Sequence, residues 1–134
     1  MKLRILLLAT LVGLSACATE VTRRPVTPPL RYTDYAGPVI EEFHYFRLDG
    51  WEVVSRNQLV VWTGLQEAYL LKVWETCEDL EFAFHIGLSS SFNRVSRFDK
   101  IHVGRDRCPI DEIRRIDVPR MKADRARARE KPAP

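Results

Sequence analysis

The apolar positions of the chain form one nearly unbroken run close to the start and a series of short blocks after it. The run covers residues 5–14. Beyond it, residues 43–54 (FHYFRLDGWEVV) are rich in aromatic and β-branched side chains, with Asp49-Gly50 as a turn signal inside them. Residues 55–58 are a polar break, 59–63 (LVVWT) predict a strand, 64–67 a turn, and 68–74 (AYLLKVW) a further strand, although Ala and Leu there also suit a helix. Residues 76–84 (TCEDLEFAF) predict one short helix, capped at Thr76 with acids in its first turn. Residues 94–103 (RVSRFDKIHV) alternate in side-chain character, as in a strand with one wet face. Residues 108–118 carry isoleucines at 110, 113 and 116, a spacing of three that suits either a helix or a strand with a bulge. The strand is favoured, because the turn over 104–107 lets it pair as a hairpin. The expected fold is mainly β: a small antiparallel sheet or curled barrel of about six strands with one short helix.

Composition narrows the class without naming an activity. The chain has 134 residues, 46% of them hydrophobic and 29% charged, which excludes a globally disordered or fibrous chain. The formal charge is +3, from 21 basic and 18 acidic residues, too weak by itself to point to nucleic acid. The basic excess is concentrated at the end. Residues 120–134 hold Arg120, Lys122, Arg125, Arg127, Arg129 and Lys131 against Asp124 and Glu130. Alanine supplies most of the apolar content there, so little can be buried: residues 120–128 suit either a solvated helix or no fixed structure, and the expectation is a basic, flexible, disordered tail.

The start of the chain reads as an address. Lys2 and Arg4 precede the apolar run, which at about ten residues is too short to span a bilayer. The segment Leu14-Ser15-Ala16-Cys17 resembles the lipobox of bacterial lipoproteins. That resemblance implies cleavage before Cys17, a diacylglyceryl group on its thiol and an acyl chain such as palmitate on the new amine. Several acyl chains anchor a protein stably where one does not. Ala18 follows, where an Asp in the enterobacterial sorting rule would retain the protein in the inner membrane. The implied location is therefore the outer membrane, facing the periplasm. The partition is then a signal peptide over 1–16, a lipidated, proline-rich tether over 17–37, a domain over 38–118 and the tail over 119–134. Tyr32 and Tyr35 are candidates to dock on the domain.

A domain of about 80 residues needs a staple. With Cys17 lipidated, Cys77 and Cys108 remain in an oxidising compartment, so a disulfide closing a loop of about 32 residues is expected. The competing reading is a zinc site from Cys77, His85, His102 and Cys108. The donor types suit zinc, but the spacings match no familiar finger, so neither a metal nor another cofactor is expected. LVVWTGLQEAYLLKV, the C-E-D-L at Cys77 and the RFDKIHVG…CPIDEIR stretch resemble a family of small proteobacterial lipoproteins. The resemblance covers most of the chain after the signal. It implies a periplasmic lipoprotein with a paired-cysteine domain and no particular activity.

Candidate chemistry is sparse. Ser89, Ser90 and Ser91 lie near His85, but no G-x-S-x-G elbow surrounds them. His44 and His102 lie in strand-like stretches. The pairs Glu41-Glu42 and Glu78-Asp79 are adjacent, so on a strand they point to opposite faces. Asp99 is expected to pair with an arginine across the sheet. Trp51, Trp62 and Trp74 recur at strand-plus-turn intervals and are the candidate binding surface, if they stack on neighbouring strands. The basic tail suits anionic lipid headgroups. The function expected from this set is a non-catalytic accessory lipoprotein, with the membrane and an envelope protein as partners and no nucleic acid. The alternatives are a small envelope hydrolase built on His85 or a small-ligand binder.

Overall fold

The computed structural model describes residues 30–74 and 77–130. The signal, Cys17, the tether up to Pro29, the expected cap at Thr76 and the last four residues lie outside the described part. Nine strands and one helix follow in order: β1 Ala36–Ile40, β2 Glu42–His44, β3 Gly50–Ser55, β4 Gln58–Gly64, β5 Glu67–Val73, β6 Gly87–Leu88, β7 Arg94–Ser96, β8 Lys100–Val103, β9 Asp106–Ile116 and α1 Val118–Glu130. Two 3-10 turns, Tyr32–Tyr35 and Glu78–Phe82, complete the set.

The expected fold class is observed. Seven strands form an antiparallel sheet in the order β3-β4-β5-β9-β8-β6, with β1 also paired to β9, and the sheet curves as a half-barrel. Strands β3, β4 and β5 form a meander with tight turns, because Ser55 pairs with Gln58 and Gly64 with Glu67. Strand β9 is the longest. Its first half pairs with β8, and its second half lies between β5 and β1. Strands β2 and β7 form a separate two-stranded ribbon.

Strand β9 resolves the isoleucine spacing. Lys72 pairs with Glu112 and Val73 with Ile110, so Asp111 is an extra residue, a bulge. The bulge keeps Ile110 and Ile113 on one face, and the ordinary alternation after it sends Ile116 to the other. The sheet therefore has two apolar faces. One holds Leu59, Val61, Tyr69, Leu71, Val73 and Ile113, and it is covered by Phe43 of β2, Val95 of β7, Leu80 of the second 3-10 turn and the cystine. Phe43 stacks on Tyr69 with ring centroids 4.0 Å apart. The other face holds Val60, Ala68, Leu70 and Ile116, and it is covered by Tyr32, Tyr35, Val118 and Met121.

Cys77 and Cys108 are disulfide-bonded, with Cα atoms 5.4 Å apart, and both are buried in the first cluster. The bond closes the excursion between β5 and β9 that carries β6, β7 and β8. Both thiols are consumed, which removes the zinc alternative.

Four expectations change. Residues 118–130 are a helix, the ordered one of the two readings, docked on the sheet and neither merely solvated nor a flexible tail. Asp117 caps it by accepting the Arg120 N–H at 3.0 Å, and Pro119 sits in the first turn, where no N–H is missed. Val118 and Met121 are fully buried, so one apolar turn suffices to dock a helix that is otherwise polar. Tyr32 and Tyr35 dock on the domain as expected, and with β1 they carry its start back before residue 38. The turn signal at Asp49-Gly50 closes no turn: Asp49 lies in a loop and Gly50 opens β3, which pairs with β4, while β2 pairs with β7. Residues 94–103 are two strands, because the Asp99 carboxylate accepts the Ser96 N–H at 2.8 Å and the Ser96 hydroxyl at 2.9 Å and so closes a turn. Asp99 is thus a turn organiser and not an arginine's partner.

Replacing both cysteines, Cys77→Ala with Cys108→Ala, should cost roughly 3–4 kcal/mol and lower the Tm by about 15 °C. Wild type melted in reductant should match the double variant. Met121→Ala should cost about 2–3 kcal/mol in chemical denaturation, whereas a side chain on a flexible tail would change stability by less than about 0.5 kcal/mol.

Candidate functional site

The cystine-stapled layer over the first sheet face carries most of the chain's phenylalanine outside the core. Five of the six phenylalanines are exposed: Phe46 by 99%, Phe82 by 74%, Phe84 by 97%, Phe92 by 97% and Phe98 by 81%. All five lie in loops or turns of this layer or at its edge. Single exposed apolar residues are ordinary, but here aromatics gather in pairs, Phe82 with Phe84 at one hollow and Trp74 with Phe98 at another, which makes these loops the candidate interaction surface.

Local structure holds these rings outward. Phe98 sits in the Ser96–Asp99 turn, and its own N–H donates to the Ser96 hydroxyl at 3.3 Å. The Arg97 guanidinium lies 5.2 Å from the Phe98 ring centroid, and its Nε is 2.9 Å from the Glu41 carboxylate. Beside Phe98, half-exposed Trp74, Pro109, Ile110 and Asp111 complete a cleft of about 330 Å³. Phe82 and Phe84 flank a smaller hollow of about 140 Å³ with Asp79, His85, Val103 and Gly104. Gly104 turns there at φ +57°.

Phe92 lies between β6 and β7, in a turn where Phe92 and Asn93 have φ of +56° and +57°. Both central residues are left-handed, as in a type I′ turn, and Ser91 and Arg94 close it. Asn suits that region, whereas a phenylalanine there carries a penalty of roughly 1–2 kcal/mol. Phe92 thus holds a disfavoured conformation and an exposed ring at one position. The adjoining Tyr45 N–H donates to the Asn93 carbonyl at 2.9 Å, which brings the segment bearing Phe46 alongside.

The three tryptophans do not share a surface. Trp51 pairs with Val61 and packs on the first cluster, whereas Trp62 pairs with Gly50 and packs on the second. An offset of one residue in the ladder puts them on opposite faces. Trp62 meets the Tyr32 ring edge-on with centroids 6.5 Å apart. Trp74, past the end of β5, is the member of the set that joins the aromatic layer. The serines near His85 act as struts. Ser89 Oγ accepts the Lys100 N–H at 2.8 Å, and Ser90 Oγ lies 2.7 Å from the Tyr45 hydroxyl. His44 and His85 are exposed, and His102 is half-buried on β8. Glu41 and Glu42 pair with Arg97 and Arg94 and so stitch β2 to β7. Among the described residues no group of three His, Cys, Asp or Glu side chains is placed to hold a metal ion.

The opposite face carries a clasp between the turn Tyr32–Tyr35 and α1. The Tyr35 hydroxyl donates to Asp124 at 2.8 Å, and the Tyr32 hydroxyl donates to Glu52 at 2.5 Å. The Arg120 and Arg125 guanidiniums lie 5.3 and 5.7 Å from the Tyr35 and Tyr32 ring centroids. The Tyr35 hydrogen bond and the Arg127 guanidinium hold the Asp124 carboxyl below its ordinary range. On the first face, burial and the bond to Glu67 push the Tyr69 phenol up to about 12. Lys72 is raised by its contacts with Asp111 and Glu112, which pin the β9 bulge.

The sequence profile of a family of unknown function, DUF6491, matches residues 1–132. The chain belongs to the DUF6491 family. No curated protein and no solved structure matches it. For this DUF6491 chain, the exposed phenylalanines are the feature that sequence reasoning passed over. Their contexts held the signal: Phe92 stands in SSSFNR and Phe98 in SRFDK, polar surroundings unlike those of the buried Phe43.

Phe92→Gly should raise stability by about 1 kcal/mol, measured by denaturant titration, because glycine adopts the left-handed region freely. The Tyr69 phenol has a raised pKa, so its contribution is intact below pH 10 and is lost as pH rises toward 12. Wild type should therefore lose stability across that window, and Tyr69→Phe should lose less. The Asp124 carboxyl has a lowered pKa, so its contribution is intact above about pH 4 and fades as pH falls below it. Asp124→Asn should flatten that acid limb.

Proposed function

We propose that the protein is a lipid-anchored module of the cell envelope that binds a protein partner through its aromatic loops. The observation that carries this reading is the exposure of five phenylalanines, with Trp74, on the layer closed by the Cys77–Cys108 bond. Large rigid aromatics are the anchors that protein interfaces use most, because they bury much area with few rotors to immobilise. The cleft between Trp74 and Phe98, edged by Arg97 and Asp111, suits a short apolar segment flanked by polar groups. Phe92 supports the same reading, since a strained, exposed aromatic is explained by use more readily than by stability. The hydroxyls and carboxylates near the histidines serve as struts and cross-strand pairs, which favours recognition over catalysis.

The anchor is Cys17, on the strength of the lipobox resemblance, and the compartment is the periplasmic side of the outer membrane, on the strength of Ala18. The cystine supports an oxidising compartment. Intact mass of the envelope-purified protein should correspond to residues 17–134 plus diacylglyceryl and acyl groups, and Cys17→Ser should abolish the lipid increment.

Recognition is tested by crosslinking in intact envelopes. Wild type and a Cys17→Ser form exported by a cleavable signal should capture the same protein. The double variant Phe84→Ser with Phe98→Ser should lower that capture at least tenfold at an unchanged Tm. Capture that survives the double variant contradicts the aromatic surface.

A further inference from the structure

We propose that α1 and the turn Tyr32–Tyr35 form a second contact surface, which lies on anionic phospholipid headgroups and turns the aromatic loops away from the membrane. The orientation rests on the lipid-anchor reading; the surface itself does not need it.

Two independent observations point the same way. The first is where the chain enters the domain. Leu30, the first described residue, packs on the cluster formed by Tyr32, Tyr35, Val118 and Met121. The tether therefore joins the domain on the α1 side. Only residues 18–29 separate Cys17 from that point, a span of at most about 40 Å at roughly 3.1–3.4 Å per residue. A lipid on Cys17 therefore brings the tether to the domain from this face, and the helix must supply the contact that fixes the orientation.

The second observation is charge. Helix α1 carries Arg120, Lys122, Arg125, Arg127 and Arg129 against Asp124 and Glu130. At 100° per residue, Arg125 falls on the buried line through Val118 and Met121, Lys122 and Arg129 flank it on one side, and Arg120 and Arg127 lie round the other side on the outer half of the helix. The arc farthest from the core is Pro119, Arg120, Ala123, Arg127 and Glu130, all exposed. No bulky apolar side chain stands between the helix and a flat polar surface, and cations line both sides. Arg120 and Arg125 are braced over tyrosine rings, so their charges are positioned before any contact. Arg127 is ion-paired with Asp124, and the helix still holds five cations against two carboxylates. Each basic residue near an anionic leaflet adds a modest, salt-sensitive increment. Tethering raises the effective concentration, so a weak contact suffices to fix the orientation.

The test uses the purified Cys17→Ser protein and vesicles of phosphatidylcholine with or without phosphatidylglycerol. Co-sedimentation should show binding only with phosphatidylglycerol, weakening as salt rises. Arg127→Glu with Arg129→Glu should reduce the partition coefficient at least tenfold. Arg127→Lys with Arg129→Lys should retain it, which separates charge from helix stability. Phe84→Ser with Phe98→Ser should also retain it. Absence of binding, equal binding to neutral vesicles, indifference to the glutamates, loss with the lysines or loss with the serines would each overturn the proposal. None of these results touches the anchor, which is read from the mass at Cys17.

Discussion

Strand β9 is the member on which the rest of the structure depends. It pairs with β5, β1 and β8, and its bulge at Asp111 decides which isoleucines face which layer. Without the extra residue, Ile110 and Ile113 would point to opposite faces and one cluster would lose a buried side chain. Lys72 holds the bulge through Asp111 and Glu112, and the Cys77–Cys108 bond fixes the strand's first half to the end of β5. Two apolar faces on one curved sheet demand two covers, and the covers differ. A cystine-bound set of short strands and turns lies on one side, and a single basic helix lies on the other.

That difference gives the molecule two ends with separate chemistry. The stapled layer can display phenylalanines because the bond and the hydrogen-bonded turns hold its short strands without help from those rings. A layer of two- to four-residue strands would otherwise be marginal. The helix side contributes little apolar area beyond Val118 and Met121 and offers charge instead. Function on one end does not require sacrificing the core under the other.

Much of the β architecture was legible from alternation. Strands near 59–63 and 68–74, the short helical turn around Leu80 and the strand after Cys108 all follow from local pattern, and two lone thiols implied the cystine. Three features were not legible, each for a stated reason. The Trp51–Trp62 spacing of one strand plus a turn hides an odd offset, and parity is fixed by pairing that no local pattern records. The helix at 118–130 depends on two buried side chains and on tyrosines some ninety positions earlier, so its own composition reads as solvated. The exposed phenylalanines carry no motif of their own, although the serines, asparagine and charges around Phe92 and Phe98 mark turns.

As proposed, the two covers face different neighbours, the aromatic loops a protein and the helix the lipid. The most direct measurement places a photoreactive side chain at Phe98 in one form of the full-length protein and at Ala126 in another. Both are illuminated in intact envelopes. The account predicts a discrete protein adduct from position 98 and phospholipid adducts from position 126. Lipid adducts from position 98, or a protein adduct from position 126 alone, would contradict it.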